Sequence, residues 1–123
     1  MRPNVLLVVL DTARADAFEP YGSRAGTTPA VAQLAGAANG LAHKHMFSTA
    51  CWTAPAHGSL FTGRLPRATN LAAGMPHEFK AAMADVADET LAAALTRAGY
   101  ATAGLSANPW VSAASGLVPA AAM

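Results

Sequence analysis

Two hydrophobic periods organise this chain. Asn4 to Leu10 (NVLLVVL) is β-branched and leucine-rich without alternation. That is the pattern of a central parallel strand with both faces buried, and a short buried helix is the competing reading of so brief a run. Tyr21 to Thr27 holds two glycines and reads as loop. Thr28-Pro29 then gives a hydroxyl N-cap followed by proline at the first helical position. The helix it starts runs to about Ala38, with Val31, Leu34, Ala35 and Ala38 as its buried face, and Asn39-Gly40 stops it.

A second helix opens at Thr53, read as its N-cap with Pro55 in the first turn. Alanines, Leu60 and Phe61 carry it, and Gly63 ends it. Residues 64–80 read as loop. A third helix is capped by Asp88, has Glu89 in its first turn, turns Leu91 and Leu95 inward and stops at Gly99. Tyr100 to Ser106 reads as a second buried strand, and the small apolar tail from Gly116 to Met123 carries no recognisable element. Strand, helices and strand in this order predict an α/β domain with a right-handed crossover. No internal repeat or linker divides residues 1–123.

Composition narrows the picture. The chain has 123 residues, enough for one domain, with 53% hydrophobic and 12% charged residues. An ordinary soluble domain carries roughly 25% charged residues, so little polar surface is available for solubility. A buried α/β core fits this, as does a piece of a larger protein whose faces are covered elsewhere. The net charge of +1 comes from scattered cations and gives no nucleic-acid footprint. The longest strongly apolar run, Val5 to Leu10, is six residues, whereas a membrane span needs about 20. Arg2 is the one charge ahead of that run, Asp11 ends it, and no small-residue cleavage site follows. With no signal peptide or membrane helix recognised, a cytoplasmic location is expected. The single cysteine excludes an internal disulfide.

Candidate chemistry gathers at two places. Asp11 follows the first strand directly, and ligands of open α/β sheets collect at carboxyl strand ends. Its carboxylate suits a hard cation; the alternative is a turn cap. The segment from Thr49 to Gly63 packs a thiol, hydroxyls and an imidazole around a helix start. Free N–H groups and partial positive charge at such a terminus attract sulfate, phosphate or carboxylate. The Thr53 hydroxyl could attack such a group if a metal lowered its pKa, and His57 shares its face one turn on. An ordinary capped helix with a surface histidine is the competing reading. His43 and His45 could share a metal only from an extended strand, and Lys44 between them disfavours a cation.

The chain resembles the N-terminal part of the sulfatase family, within the alkaline phosphatase superfamily. Pro3-Asn4-Val5 with its strand, the run Asp11-Thr12-Ala13-Arg14-Ala15-Asp16, Tyr21-Gly22 and Thr28-Pro29 look like the family's opening. Ser48 to Pro66 (STACWTAPAHGSLFTGRLP) resembles its nucleophile segment, and Glu89 to Pro109 the helix–strand unit after it. The resemblance implies an alkaline-phosphatase-like fold, a mostly parallel sheet flanked by helices, of which residues 1–123 are the N-terminal portion and which this chain leaves incomplete. It implies a metal-assisted hydrolase whose nucleophile sits at a helix N-terminus and attacks the sulfur or phosphorus of an ester.

Register within the motif decides the nucleophile. Many sulfatases make a formylglycine from cysteine in Cys-x-Pro-Ser/Ala-Arg. Here Pro55 lies two residues after Thr53, and Thr53 lies nine before Thr62 of the Thr62-Gly63 pair. Thr53 therefore takes the nucleophile position, His57 replaces the motif arginine, and Cys51 lies outside the motif. Threonine is the nucleophile of the superfamily's phosphodiesterases and phosphoethanolamine transferases and cannot become formylglycine. The resemblance assigns metal binding to Asp11 and Thr53, with Thr12 standing where many sulfatases have a second acid. The metal the resemblance implies is divalent: calcium, magnesium, manganese or zinc. In that reading His57 would orient the hydroxyl or contact the ester oxygens. Asn108 and Arg14 are further candidates for substrate contact, Arg14 also for support of Asp11. The family's Gly-Lys-x-His is replaced by Ser106-Ala107-Asn108-Pro109, and its His-Gly after the nucleophile helix by Thr69-Asn70.

The expected partner is a small-molecule or glycan sulfate or phosphate ester. The remaining metal ligands of family members come from a second half that has no counterpart here, so the chain by itself is expected to be inactive. A non-catalytic truncated or degenerate product, an interaction module and a phosphotransferase are the other readings.

Overall fold

The computed structural model describes residues 2–71 and 82–113. The tail from residue 116 and the loop residues 72–80 lie outside them. Two compact units divide the chain, Met1–Phe47 and Ser48–Met123.

In the first unit a turn at Asp11 and Thr12 follows residues 3–10, which carry no regular secondary structure. Thr12 takes φ 61°, a left-handed conformation that is a genuine outlier for a β-branched residue. Two 3₁₀ turns follow, Ala15–Ala17 and Glu19–Tyr21, and then helix α1, Pro29–Gly36. Thr28 is the N-cap of α1, as expected, but its side chain does not cap the helix. The hydroxyl is engaged by Glu19 instead. The Glu19 N–H donates to Thr28 Oγ1 at 3.1 Å, the Thr28 N–H donates to Glu19 Oε1 at 3.0 Å, and the Thr28 hydroxyl donates to Glu19 Oε2. This reciprocal clasp joins the second 3₁₀ turn to the start of α1.

The helix ends at Gly36, earlier than Ala38. Gly40 folds back on it: its N–H donates to Ala37 O at 2.8 Å, and a Cβ there would lie 2.1 Å from Leu34 O. Glycine at this position is thus required by close approach. None of Val31, Leu34, Ala35 and Ala38 is buried, and Leu34 is 70% exposed. The 3.6-residue spacing predicts the helix, and its apolar stripe is only partly covered: Pro20, Tyr21 and Leu41 line a groove with Val31, Leu34 and Ala35, which leaves Val31 and Ala35 half-buried.

The second unit holds the core. Helix α2, Thr53–Thr62, buries Ala54, Pro55, His57, Gly58 and Ser59. Gly63 ends it in the left-handed conformation, with its N–H on Ser59 O at 2.8 Å. Ala54, Leu71, Ala82, Met83, Val86 and Val111 form the buried cluster, with Phe61 and Trp110 packed against it. A 3₁₀ turn at Pro66–Ala68 brings Leu71 back to α2, a helical stretch at 82–85 adds Met83, and a 3₁₀ turn at Ala87–Glu89 leads to helix α3, Leu91–Arg97. The N-cap of α3 is Thr90, not Asp88: Thr90 Oγ1 accepts from the Ala93 N–H at 3.2 Å. Gly99, at φ 85°, stops the helix in a Schellman arrangement, with its N–H on Thr96 O and the Tyr100 N–H on Leu95 O. Arg64 reaches Glu89 at 2.7 Å, a half-exposed pair worth at most about 1 kcal/mol.

The expected strands at 4–10 and 100–106 are not formed, and there is no strand among the described residues. A strand exists only where a neighbouring backbone takes its N–H and C=O groups. The described residues offer none, and the apolar side chains stay in water: Leu6 is 87% exposed and Leu105 fully so.

One polar atom in the core is unmatched. Ser59 Oγ is buried without a hydrogen-bond partner. Removing an orphaned hydroxyl removes its desolvation cost of about 1–3 kcal/mol, so Ser59→Ala is expected to raise stability by about 1 kcal/mol in urea unfolding. A loss of stability would show that the hydroxyl is hydrogen-bonded.

Candidate active site

Thr53 is the first residue of α2, and Trp52 is its N-cap in extended conformation at φ −143°, ψ 165°. The expected cap is thus displaced by one residue, and Thr53 lies half-buried in the first turn. Its partner from the sequence, His57, lies one turn on. His57 is only 9% exposed, not a surface histidine. Its Nδ1 lies 2.9 Å from the Thr53 carbonyl oxygen. A carbonyl only accepts, so Nδ1 carries the proton and Nε2 carries the lone pair in the neutral ring. Phe61 packs beside the imidazole, with ring centroids 6.3 Å apart. The spacing of Thr53 and His57 predicts their shared face; the imidazole's burial and its bond to the main chain are seen only in the structure.

The other end of this unit's site is a turn that sequence reasoning missed. Asn108 Oδ1 accepts the Trp110 N–H at 2.9 Å, the Asn108 carbonyl accepts the Val111 N–H at 2.9 Å, and Ser106 Oγ accepts the Asn108 N–H at 3.1 Å. The Asn108 side-chain oxygen thus organises a turn. That turn sets Trp110 edge-on against Trp52, with centroids 5.4 Å apart and planes at 87°. Cys51, just ahead of Trp52, is an exposed free thiol.

The remaining candidates belong to the first unit. Asp11 and Thr12 are exposed in their turn. Arg14 is engaged by Asp16: Nε donates to Oδ1 at 3.0 Å and Nη2 to Oδ2 at 2.6 Å. Hydrogen bonding to Arg14 holds the Asp16 carboxyl below its ordinary range, and the same pair raises the Arg14 guanidinium. A depressed carboxylate favours the folded state above its ordinary pKa and loses that effect as pH falls through the folded value. The Asp16 midpoint is therefore expected to move up in Arg14→Ala, followed by carboxyl-carbon NMR, and an unmoved midpoint would remove the pairing. A groove of about 180 Å³ in the same unit, lined by Pro20, Tyr21, Val31, Leu34, Ala35 and Leu41 among others, involves none of the predicted site residues.

The family model described as Sulfatase matches residues 3–116. The chain belongs to the sulfatase family. Comparison with curated proteins and with solved structures gave no significant match. Membership implies an alkaline-phosphatase-like fold and resemblance to ester hydrolases that act on sulfate esters, generally with a divalent metal. Among the described residues no three His, Cys, Asp or Glu side chains come together, whereas calcium takes 6–8 oxygen ligands. The carboxylate of Asp11, in the first unit, and the hydroxyl of Thr53, in the second, are each oxygen donors of the kind a divalent cation takes. Among the described residues no helix is long and apolar enough to cross a membrane.

Proposed function

We propose that the chain is the nucleophile-bearing N-terminal portion of a hydrolase of sulfate or phosphate esters, with Thr53 as nucleophile. The observation that carries this reading is the position of Thr53 in the family's motif together with its place as the first residue of α2. A helix start places partial positive charge where an ester's anionic oxygens would lie. Thr53 Oγ would lose its proton and bond to the sulfur or phosphorus as the bond to the ester oxygen breaks, and the departing oxygen would take up a proton. Water would then attack the sulfur or phosphorus, break its bond to Oγ, release sulfate or phosphate and restore the hydroxyl. His57 Nδ1–H donates to the Thr53 carbonyl, and a protonated ring would present Nε2–H as a donor to the ester oxygens. Asp11 and Thr53 supply oxygen donors of the kind a divalent cation takes, Thr12 adjoins Asp11, and Asn108 and Arg14 are secondary candidates for substrate contact. Calcium, magnesium, manganese and zinc are all consistent with that donor chemistry. The substrate is a small-molecule or glycan ester.

The test is hydrolysis by the full-length form, with each metal added, of matched sulfate and phosphate monoesters and diesters. Turnover that disappears in Thr53→Ala supports the assignment. Turnover unchanged in that variant removes Thr53 from the chemistry.

A second reading is favoured by the lack of a cluster of metal donors among the described residues: a non-catalytic product, or a module completed by another chain. Calorimetric titration of the 123-residue chain with the same four metals separates the two. Tight stoichiometric binding by this chain alone counts against the second reading.

A further inference from the structure

We propose that Trp110 is a positioning residue for Thr53, acting through Trp52. This rests on the reading of Thr53 as nucleophile. Trp52 is the residue before Thr53 and the N-cap of α2, and its own side chain makes no capping hydrogen bond. The Trp52 carbonyl accepts the Ala56 N–H at a long 3.4 Å, so the first turn is weakly closed by its own backbone. The edge of a second indole braces the cap residue. Trp110 meets Trp52 at 5.4 Å and 87°, a favoured edge-to-face geometry for aromatic pairs.

Trp110 is itself anchored from two sides. It packs against the buried cluster next to Val111, which is 7% exposed. Its backbone N–H is held by Asn108 Oδ1. The chain of contacts therefore runs from the core through Trp110 to Trp52, and by one peptide bond to Thr53. Holding a reacting group within a fraction of an ångström is worth a large factor in rate; a misplacement of about 1 Å costs on the order of 100-fold. Trp110 touches no reacting atom in this arrangement. Its role is to hold the first turn of α2 in one orientation.

The experiment compares Trp110→Leu, which keeps apolar volume but loses the ring, with Trp110→Phe, which keeps a ring edge. In the full-length protein Trp110→Leu is expected to lower kcat by roughly 10- to 100-fold with KM nearly unchanged, and Trp110→Phe to restore most of it. Amide hydrogen exchange gives a second readout that needs no activity. The Ala56 N–H is expected to exchange faster in Trp110→Leu, while amides of α3 keep their rates.

The chain has only two tryptophans, so the near-ultraviolet circular dichroism of the indole pair reports the contact directly. If Trp110→Leu does not fold, Asn108→Ala retains both indoles and frees the turn; loss of the pair's signal should then accompany faster exchange at Ala56. Loss of that signal with Ala56 exchange unchanged overturns the proposal, as does a kcat that Trp110→Phe fails to restore. Absence of turnover in the unsubstituted protein would instead sink the hydrolase reading and leave the exchange result to decide the positioning of the α2 start.

Discussion

Thr53→Ala is expected to lower ester hydrolysis by the full-length protein on the order of 10⁴- to 10⁶-fold, the scale seen when a covalent nucleophile is removed. Thr53→Ser, which keeps the hydroxyl, should retain most of the activity. The fold should be little affected. Thr53 is half-buried at the first position of α2, and alanine is a good helix former. The thermal transition should therefore move by an amount equivalent to roughly 0.5 kcal/mol or less. Large loss of rate without loss of stability is the signature of a reacting group. Cys51→Ala provides the contrast. Cys51 is exposed and lies before the α2 N-cap, so its removal should leave the rate unchanged. Dependence on Cys51 instead of Thr53 would restore the thiol as nucleophile and overturn the motif register.

The ends of α2 are legible in the sequence because helix boundaries are local. Pro55 early in α2 and Gly63 at its end were both readable, and the structure moves the N-cap by only one residue, to Trp52. The same holds for α3. Gly99 stops it as expected, while a 3₁₀ turn at Ala87–Glu89 passes the cap from Asp88 to Thr90. Both residues are good caps, and choice between them depends on how the preceding chain arrives. Arg14 is a sequence candidate for support of Asp11 or for substrate contact; the structure adds Asp16, two residues away, as the acceptor of its Nε and Nη2.

What the sequence did not show is non-local. Trp52 and Trp110 are far apart in the chain, and no period connects them. The burial of His57 depends on the covering that α2 receives from the rest of its unit, and an isolated helical pattern cannot report that. The apolar runs at 4–10 and 100–106 express a demand for burial, but strand formation needs a partner backbone that a pattern cannot supply. Their exposed leucines show the demand unmet among the described residues.

Leu71→Ala should produce the largest loss of stability in the second unit. Leu71 is fully buried, one of only two large aliphatic or thioether side chains in the cluster at that level, the other being Met83. Removing a buried leucine side chain costs about 2–5 kcal/mol, depending on how far the site collapses. For a domain of this size each kcal/mol corresponds to roughly 4–8 °C, so a loss near 3 kcal/mol lowers the thermal midpoint by roughly 12–24 °C. Gly58 tests the packing from the other side. A Cβ at Gly58 would lie 2.7 Å from Leu71 Cδ1, with Cγ at 3.4 Å and Cβ at 3.5 Å behind it. In the unsubstituted protein Gly58→Ala gains helix propensity but forces a fully buried leucine to move, at a cost of about 1–3 kcal/mol. With Leu71→Ala present the obstruction is gone, the added methyl enters the space left by leucine, and only the helix gain remains. Gly58→Ala should therefore destabilise alone and stabilise in the double variant, a change of sign measurable by urea unfolding of all four proteins. Additive effects would mean that α2 and Leu71 are not in contact, and the core that supports the start of α2 would have to be built differently.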